Sequence, residues 1–226
     1  MVKLPDKMHI SWHEYMQPLF NDARFRPILS ILHNSTTKCP LDNQNVFRIF
    51  RMSLYDVRVV LIGQDVYPNP KFANGIAFAI PKGVETIPHS LHIIENELQN
   101  NYPDVELDPT LTNWLKQGVF LFNRSLTCEI GKPNSHYDKW AWFTEEVIKI
   151  INNERSGLHF VLWGNSAKEL QPLIDVNRQF IYTAAHPMAE SYGKNTITNG
   201  FYGTKHFLKI NKNIRRSNGK EFEIKW

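Results

Sequence analysis

The hydrophobic pattern of the chain contains four short apolar runs, and each of them ends close to a polar residue. The runs are rich in β-branched and aromatic residues and occupy residues 57–62, 119–122, 159–163 and 179–183. Continuous apolar runs of this length are typical of strands that are buried on both faces of a parallel sheet. The pattern therefore predicts four core strands.

Segments with apolar residues at helical spacing surround these runs. They cover residues 11–33, 46–51, 90–101, 111–116, 142–152, 167–174 and 203–214. The first segment is predicted to form one or two helices, with Ser11 as the N-cap and an interruption at Pro27. The polar tail after residue 214 is expected to pair as a short edge strand or to lack regular structure.

Strands that alternate with helices predict a parallel sheet with right-handed crossovers. We therefore expect the α/β class, as a three-layer α/β/α sandwich around a four-stranded, mainly parallel sheet. The chain has 226 residues, of which 42% are hydrophobic and 21% charged. This length and composition fit one globular domain over residues 1–226.

Net charge and cysteine content exclude few classes of protein function. A formal net charge of +4 is compatible with a polyanionic partner, although no long block of like charges occurs. Cys39 and Cys128 form no C-x-x-C motif, which favours a reduced, intracellular protein over a disulfide framework. No signal-peptide core or membrane-length apolar stretch is visible. We expect a protein without membrane contact, cytoplasmic in a prokaryote and otherwise nuclear or in a viral factory.

Polar residues follow the ends of the four predicted strands: Asp65, Asn123, Asn165 with Ser166, and His186. The carboxyl ends of parallel strands meet at one edge of a sheet, and ligands bind there in open α/β folds. We therefore expect these residues to line one crevice. Each also has an ordinary interpretation, as an Asp in a turn, an Asn that caps a strand or a His satisfied by the backbone.

The residue types exclude several chemistries. The sequence has no glycine-rich dinucleotide fingerprint, P-loop, H-E-x-x-H helix or G-x-S-x-G elbow. His89 and His92 are interpreted as helix-surface residues rather than a metal pair, and we expect neither metal nor cofactor. A carboxylate, an imidazole and a carboxamide remain. A carboxamide presents a donor beside an acceptor, which matches an amide edge such as that of uracil, and Phe78 is a candidate stacking face.

Five segments carry a resemblance to a known family. They are residues 63–68 (G-Q-D-V-Y-P), 74–78 (N-G-I-A-F), 87–91 (I-P-H-S-L), 111–127 (L-T-N-W-L-K-Q-G-V-F-L-F-N-R-S-L-T), and 186–187 (H-P) with 200–207. In this order they resemble the motifs of family 1 uracil-DNA glycosylases, over nearly the whole chain. The resemblance implies hydrolysis of the N-glycosidic bond of uracil in DNA, which releases uracil and leaves an abasic site in base excision repair.

The resemblance also implies roles for five pocket residues. Asp65 would position the attacking water and stabilise the cationic sugar, and His186 would donate a hydrogen bond to the uracil oxygen that gains charge. Asn123 would recognise the amide edge of uracil, and Phe78 would stack on the flipped base. Tyr67 would stand where the methyl group of thymine would lie.

Two departures from the family pattern flank the carboxylate. Gln64 matches the family and would line the pocket, partly through its backbone amide. Val66 replaces the usual Pro, and Pro68 replaces the usual His. Pro68 therefore removes a backbone N–H and an imidazole from the pocket rim.

The predicted DNA contacts depart further from the family. They are Ser90, Asn165, Ser166, Met188, Glu190, Ser191, Tyr192 and Lys194.

Ser90 and Ser191 match phosphate-contacting serines of the family. Met188 stands where the family has a serine, and Glu190 stands where it has the Leu that wedges into the vacated base stack. A Glu cannot stack and would be repelled by phosphate. Tyr192 or residue 197 is a candidate substitute wedge, and Lys194 is a candidate phosphate contact.

Three functions are compatible with these observations. The first is a monofunctional, monomeric glycosylase that acts on single- or double-stranded uracil-containing DNA and binds a protein inhibitor or a replication partner. The second is a DNA-binding subunit of a replication or repair complex with weak or absent catalysis. The third is a hydrolase of free nucleotides, which would need a phosphate cradle that the sequence lacks.

Overall fold

The computed structural model of the chain describes residues 2–34, 36–192 and 200–226, without the side chains of residues 191 and 192. The candidate DNA contact Lys194, the candidate wedge at residue 197 and the side chains of Ser191 and Tyr192 lie outside the described residues. Within the described ranges, no helix is both long enough and apolar enough to cross a membrane.

The described residues form six strands. They are β1 (Lys38–Cys39), β2 (Val59–Asp65), β3 (Val119–Ser125), β4 (Cys128–Glu129), β5 (His159–Trp163) and β6 (Phe180–Ala184). Strands β2, β3, β5 and β6 form one parallel sheet in the order β3-β2-β5-β6, and β1 pairs with β4 in a separate antiparallel ribbon. Because β2 is central, its carboxyl end is flanked on both sides by other strand ends.

The α-helices of the described residues are α1 (His13–Asn21), α2 (Arg26–His33), α3 (Asn43–Val46), α4 (His89–Asn101), α5 (Thr112–Lys116), α6 (Tyr137–Glu154), α7 (Asn165–Lys168) and α8 (His206–Asn218). Short 3-10 helices occupy Ile10–Trp12, Ala23–Phe25, Arg48–Arg51, Leu54–Asp56, Gln171–Leu173, Pro187–Tyr192 and Lys220–Phe222.

Helices cover both faces of the sheet. On one face, Phe120 of β3 packs against Trp12 with ring centroids 5.6 Å apart. On the other face, Trp163 of β5 packs on Phe207 of α8 with ring centroids 6.2 Å apart. The strand register places Trp163 and Phe120 on opposite faces of the sheet. Alternate residues of a strand point to opposite faces, so each face buries its own aromatic cluster. The predicted three-layer α/β sandwich is confirmed.

Several predicted boundaries were wrong. The break in the first helical segment falls at Asp22, whose side chain accepts a hydrogen bond from Arg24 N. Pro27 lies in the first turn of α2, where a missing N–H costs little. Ser11 is not the N-cap; His9 accepts the Ser11 N–H, and the Ser11 hydroxyl accepts from Leu54 N instead.

Other helices have different bounds from those predicted or are divided in two, because local periodicity does not show where tertiary contacts end a helix. The segment predicted at 46–51 is α3 followed by a 3-10 turn, and the segment at 167–174 is α7 followed by another. Helix α6 is longer than predicted, and α8 begins later.

The C-terminal tail forms neither of the predicted alternatives. Lys220–Phe222 is a 3-10 helix, and Ile224 N donates to Asn211 Oδ1 of α8 at 2.8 Å. The Trp226 ring lies 5.2 Å from Trp114 and 5.0 Å from Phe207. The tail is therefore part of the core on the α8 side of the sheet.

Candidate active site at the carboxyl edge of the sheet

Asp65 ends the central strand and has both carboxylate oxygens held by the backbone. Oδ1 accepts from Val66 N at 2.9 Å, and Oδ2 accepts from Asn134 N at 2.5 Å. The Asn134 side chain also accepts from Gln64 Nε2 at 2.9 Å. The loop at Asn134 therefore covers the end of β2 and fixes the orientation of the carboxylate.

Asn134 is a site residue that the sequence interpretation missed. Its φ of 64° lies in the left-handed region, which Asn tolerates better than most residues because its short side chain bonds locally. The only signal in the sequence is an Asn in a polar, proline-containing loop, and such loops are too common to identify this one.

Burial dominates the electrostatics of Asp65. Desolvation raises its pKa from 3.8 to about 6, although the two backbone N–H groups and the nearby side chains of Ser125 and Cys128 oppose the rise. Hydrogen bonds to a carboxylate favour its charged form, and removal of water disfavours it. At neutral pH Asp65 is therefore ionised. Its carboxylate lies in a poorly solvated environment, where its electrostatic interaction with a nearby charge is stronger than in water.

Asn123 lies in β3 directly opposite Gly63 of β2. It is 3% exposed, and a Cβ atom at Gly63 would lie 2.3 Å from Asn123 Oδ1 and 3.1 Å from the Ala77 side chain. The absence of a side chain at Gly63 is what makes room for the carboxamide. Strand β3 was predicted to end before Asn123 but continues to Ser125, so this side chain stands on a rigid strand.

Tyr67 and Ser90 hold the segment that carries Phe78. The Tyr67 hydroxyl donates to Phe78 O at 3.0 Å and shares a hydrogen bond with Ser90 Oγ at 3.2 Å. Burial raises the pKa of Tyr67 to about 12, so it remains a neutral donor. Phe78 has a φ of 64°, which costs about 1–3 kcal/mol for a bulky residue and persists only where surrounding contacts enforce it. Tyr67 supplies one such contact.

His186 follows β6 and has one ring nitrogen occupied. Nδ1 accepts from Met188 N at 3.2 Å, so the remaining proton of a neutral ring lies on Nε2. Burial lowers the pKa of His186, which keeps the imidazole neutral at physiological pH. Gly164, with a φ of 94°, follows β5 and lets the backbone there approach His186 closely, since a Cβ on Gly164 would lie 3.0 Å from His186 Cβ.

The aromatic ring of Phe78 joins these elements into one site. Its centroid lies 5.9 Å from the His186 ring and 5.8 Å from Trp163. Its backbone is tied to Tyr67, and the preceding Ala77 faces Gly63 beside Asn123. Phe78 thus links Tyr67 after β2 with His186 after β6, and the adjacent Ala77 lies next to Gly63 and Asn123.

The described members of the predicted DNA-contact set lie in several environments. Asn165 is exposed at the start of α7, and Ser166 Oγ is buried without a hydrogen-bond partner among the described residues. Ser90 is 6% exposed and engaged with Tyr67. Met188 is half-buried, and the carboxylate of Glu190 accepts from the backbone at Phe201 and Tyr202.

Arg124, immediately after Asn123, is a second residue that the sequence interpretation missed. Its guanidinium is 2% exposed and lies 3.2 Å from Glu169 and 3.4 Å from Glu145. It also donates to the Tyr137 hydroxyl at 3.0 Å. This buried cation connects β3 to the start of α6 and to the residue after α7, beneath the site.

The residues described show no group of three His, Cys, Asp or Glu side chains that could hold a metal ion. The fold and the site together define a class: an α/β sandwich with a half-buried, poorly solvated carboxylate, a buried carboxamide and a neutral imidazole at the carboxyl edge of its parallel sheet.

Comparison with known proteins identifies the family. The chain is 37% identical over 225 residues to "Uracil-DNA glycosylase 1" of Bacteroides fragilis, covering 97% of this chain and 99% of that protein. It is 39% identical over 214 residues to "Uracil-DNA glycosylase" of Campylobacter lari, covering 91% and 90%. No family model matches the chain.

A solved structure agrees with these relatives. The crystal structure of mimivirus uracil-DNA glycosylase has a TM-score of 0.85 and 25% identity, covering 99% of this chain and 89% of that one. The chain belongs to the uracil-DNA glycosylase family. The resemblance inferred from its motifs is confirmed at that level.

Proposed function

We propose that this chain hydrolyses the N-glycosidic bond of deoxyuridine in DNA as a family 1 enzyme, with Asp65 and His186 as catalytic residues. Relatives named uracil-DNA glycosylase match it over almost its full length. The observation that supports the residue roles best is that a poorly solvated carboxylate at the end of β2 and a neutral imidazole after β6, packed against Phe78, lie at the same carboxyl edge of the parallel sheet.

His186 acts on the leaving group. As the bond between sugar and base breaks, the bonding electrons pass to uracil, and negative charge develops on its carbonyl oxygen. The Nε2–H of neutral His186 donates to that oxygen, while Nδ1 is held by Met188 N. A fixed donor aimed at developing charge in a dry site lowers the barrier without a proton transfer in the ground state.

Asp65 acts on the sugar and on water. The sugar becomes cationic as uracil leaves, and the ionised carboxylate stabilises that charge across a poorly solvated gap. The carboxylate also orients the water molecule that attacks the anomeric carbon. It then accepts the proton that the attacking water loses. Hydrogen bonds from Val66 N and Asn134 N keep the carboxylate in one orientation for both tasks.

Uracil selectivity rests on the other pocket residues. The carboxamide of Asn123 pairs with the amide edge of uracil, and Phe78 stacks on its face. Tyr67, fixed by Phe78 O, excludes the methyl group of thymine, so rejection depends on a clash. Gln64 closes the pocket beside Asn134.

The DNA strand is held by residues around the pocket mouth. We assign phosphate contacts to Asn165, Ser166, Ser191 and Lys194. Ser90 contributes chiefly by anchoring Tyr67.

A protein partner is also part of the proposal. A variant of mimivirus UNG was solved in complex with UGI, with a TM-score of 0.86 to this chain. We propose that UGI also binds this chain and blocks access of DNA to the pocket. Loss of uracil release on addition of UGI would support that proposal, and undiminished release in excess UGI would refute it.

The test of the function is a uracil-release assay on one uracil-containing oligonucleotide, single-stranded and as a duplex. Wild-type protein should release free uracil and leave an alkali-labile site, also in the presence of EDTA. Asp65→Asn and His186→Leu should each reduce turnover by at least about 100-fold while retaining a cooperative unfolding transition. Near-full activity of either variant would remove that residue from the mechanism. A protein that only binds DNA would retard the oligonucleotide without releasing base.

A further inference from the structure

The carboxylate of Glu190 is engaged with the protein backbone. Its Oε1 accepts from Phe201 N at 2.5 Å and from Tyr202 N at 3.1 Å. Glu190 and Phe201 are 11 positions apart in the sequence. One side chain therefore connects the 3-10 helix after β6 with the segment that precedes α8.

A second carboxylate, that of Glu97, accepts hydrogen bonds from the backbone of the same segment. Glu97 of α4 is 1% exposed and accepts from Gly203 N at 2.8 Å and from Lys205 N at 2.9 Å. Hydrogen bonds from backbone N–H groups to a carboxylate are among the stronger ones in proteins. The segment 201–205 is thus held from two sides by acidic side chains.

The segment fixed by Glu190 supports the aromatic platform of the pocket. Phe201 is fully buried, and its ring meets Trp163 edge-on at 4.8 Å. Trp163 in turn meets Phe78 at 5.8 Å, and Phe78 lies 5.9 Å from His186. A shift of the Phe201 backbone would therefore reach the stacking ring and the imidazole through direct packing.

We propose that Glu190 is a positioning residue for the glycosylase reaction, whose carboxylate clamps Phe201 and Tyr202 so that Trp163, Phe78 and His186 keep their places. The inference rests on the proposed function, and it differs from a role in DNA contact. In a packed interior, a displacement of one buried ring is transmitted to its neighbours, and small misplacements of a catalytic donor reduce turnover.

The two roles predict opposite effects of removing the charge. A Glu that faced phosphate would repel DNA, so its loss should lower KM for DNA and leave kcat unchanged. Loss of a Glu that holds the Phe201 and Tyr202 backbone should lower kcat, and the KM for DNA should change no more than on loss of any other surface carboxylate.

The first experiment measures kcat and KM on a short single-stranded uracil oligonucleotide, where no duplex must be opened. Glu190→Ala and Glu190→Leu remove the acceptor, and Leu keeps the bulk. Each should reduce kcat about tenfold, as expected for the loss of a charged hydrogen bond. Glu190→Gln retains an acceptor oxygen and should keep most of the activity. Glu106→Ala is the matched control, because it removes an exposed carboxylate from a loop outside the site.

A second measurement does not depend on catalysis. Backbone amide hydrogen exchange of Phe201 and Tyr202 should accelerate at least about tenfold in Glu190→Ala, whereas Gly203 and Lys205, held by Glu97, should remain protected. Unchanged exchange at Phe201, or a lower KM with wild-type kcat, would overturn the clamp. A wild-type protein that releases no uracil, yet shows the exchange effect, would refute the proposed function while leaving the clamp intact.

Discussion

Gly63 and Asn123 face each other across two neighbouring parallel strands, and the carboxamide of Asn123 fills the space that a side chain at Gly63 would need. A Cβ at Gly63 would lie 2.3 Å from Asn123 Oδ1, closer than any tolerated contact. The orientation of the carboxamide proposed to recognise uracil is therefore determined by the strand beside it.

Gly63→Ala should displace the Asn123 side chain and weaken uracil recognition. We expect a loss of about 1–3 kcal/mol in transition-state binding, hence about 5- to 150-fold in kcat/KM, since a displaced carboxamide leaves the base edge unpaired. Stability should fall as well, because the clash lies in a packed core. Chemical denaturation and steady-state kinetics measure the two effects.

The double variant Gly63→Ala with Asn123→Ala is the control for this interpretation. Removing the carboxamide relieves the clash, so the double variant should recover stability relative to Gly63→Ala without recovering activity. The destabilisation caused by Gly63→Ala should be smaller in the Asn123→Ala background than in wild type, and equal destabilisation in the two backgrounds would show that the two residues are not coupled.

The pH dependence of the reaction should report Asp65. Its pKa of about 6 predicts that kcat/KM rises with pH up to about 6 and is level above, since the ionised carboxylate is the active form. A pH–rate profile on single-stranded substrate measures this limb. A profile that stays flat down to pH 4.5 would contradict the environment described for Asp65.

Asp65 should also make folding stability depend on pH. Its folded pKa is above its unfolded value of 3.8, so the stabilising effect of this group is complete below 3.8 and is lost as pH rises through about 6. The shift corresponds to about 3 kcal/mol. Asp65→Asn should therefore gain stability relative to wild type between pH 4 and pH 7. Urea denaturation at both values measures the difference, and a constant difference would contradict the prediction.

Tyr67 should control both selectivity and the Phe78 backbone. Tyr67→Ala should open space for the methyl group of thymine and allow slow release of thymine from DNA. Tyr67→Phe keeps the ring but loses the hydroxyl that bonds Phe78 O, so it should retain selectivity while losing turnover. Base release from matched uracil and thymine oligonucleotides separates the two effects. Absence of thymine release by a folded Tyr67→Ala protein would place the selectivity elsewhere.

Glu190 occupies the position where the family pattern has an apolar wedge, and a carboxylate tied to Phe201 N cannot enter a base stack. We therefore expect a larger preference for single-stranded over duplex uracil DNA than in relatives with Leu at this position. Parallel kcat/KM measurements on both substrates test the preference, and equal values would contradict it.

The sequence by itself determined the architecture. Four continuous apolar runs that alternate with segments of helical periodicity are typical of a parallel sheet with both faces covered by helices, because the helices of the crossovers bury both sides of each strand. It also indicated that Asp65, Asn123 and His186 would meet, since parallel strands end at one edge. The motif order was sufficient to indicate the family that the relatives confirm.

Only the tertiary structure decided how these side chains are held. Asn134 reaches Asp65 from a distant loop, Glu190 bonds to Phe201, and the tail buries Trp226 beside Trp114. These contacts join positions far apart in sequence and leave no periodic signal. Single-residue patterns report local preference, whereas orientation, desolvation and pKa depend on what the rest of the chain places around a group.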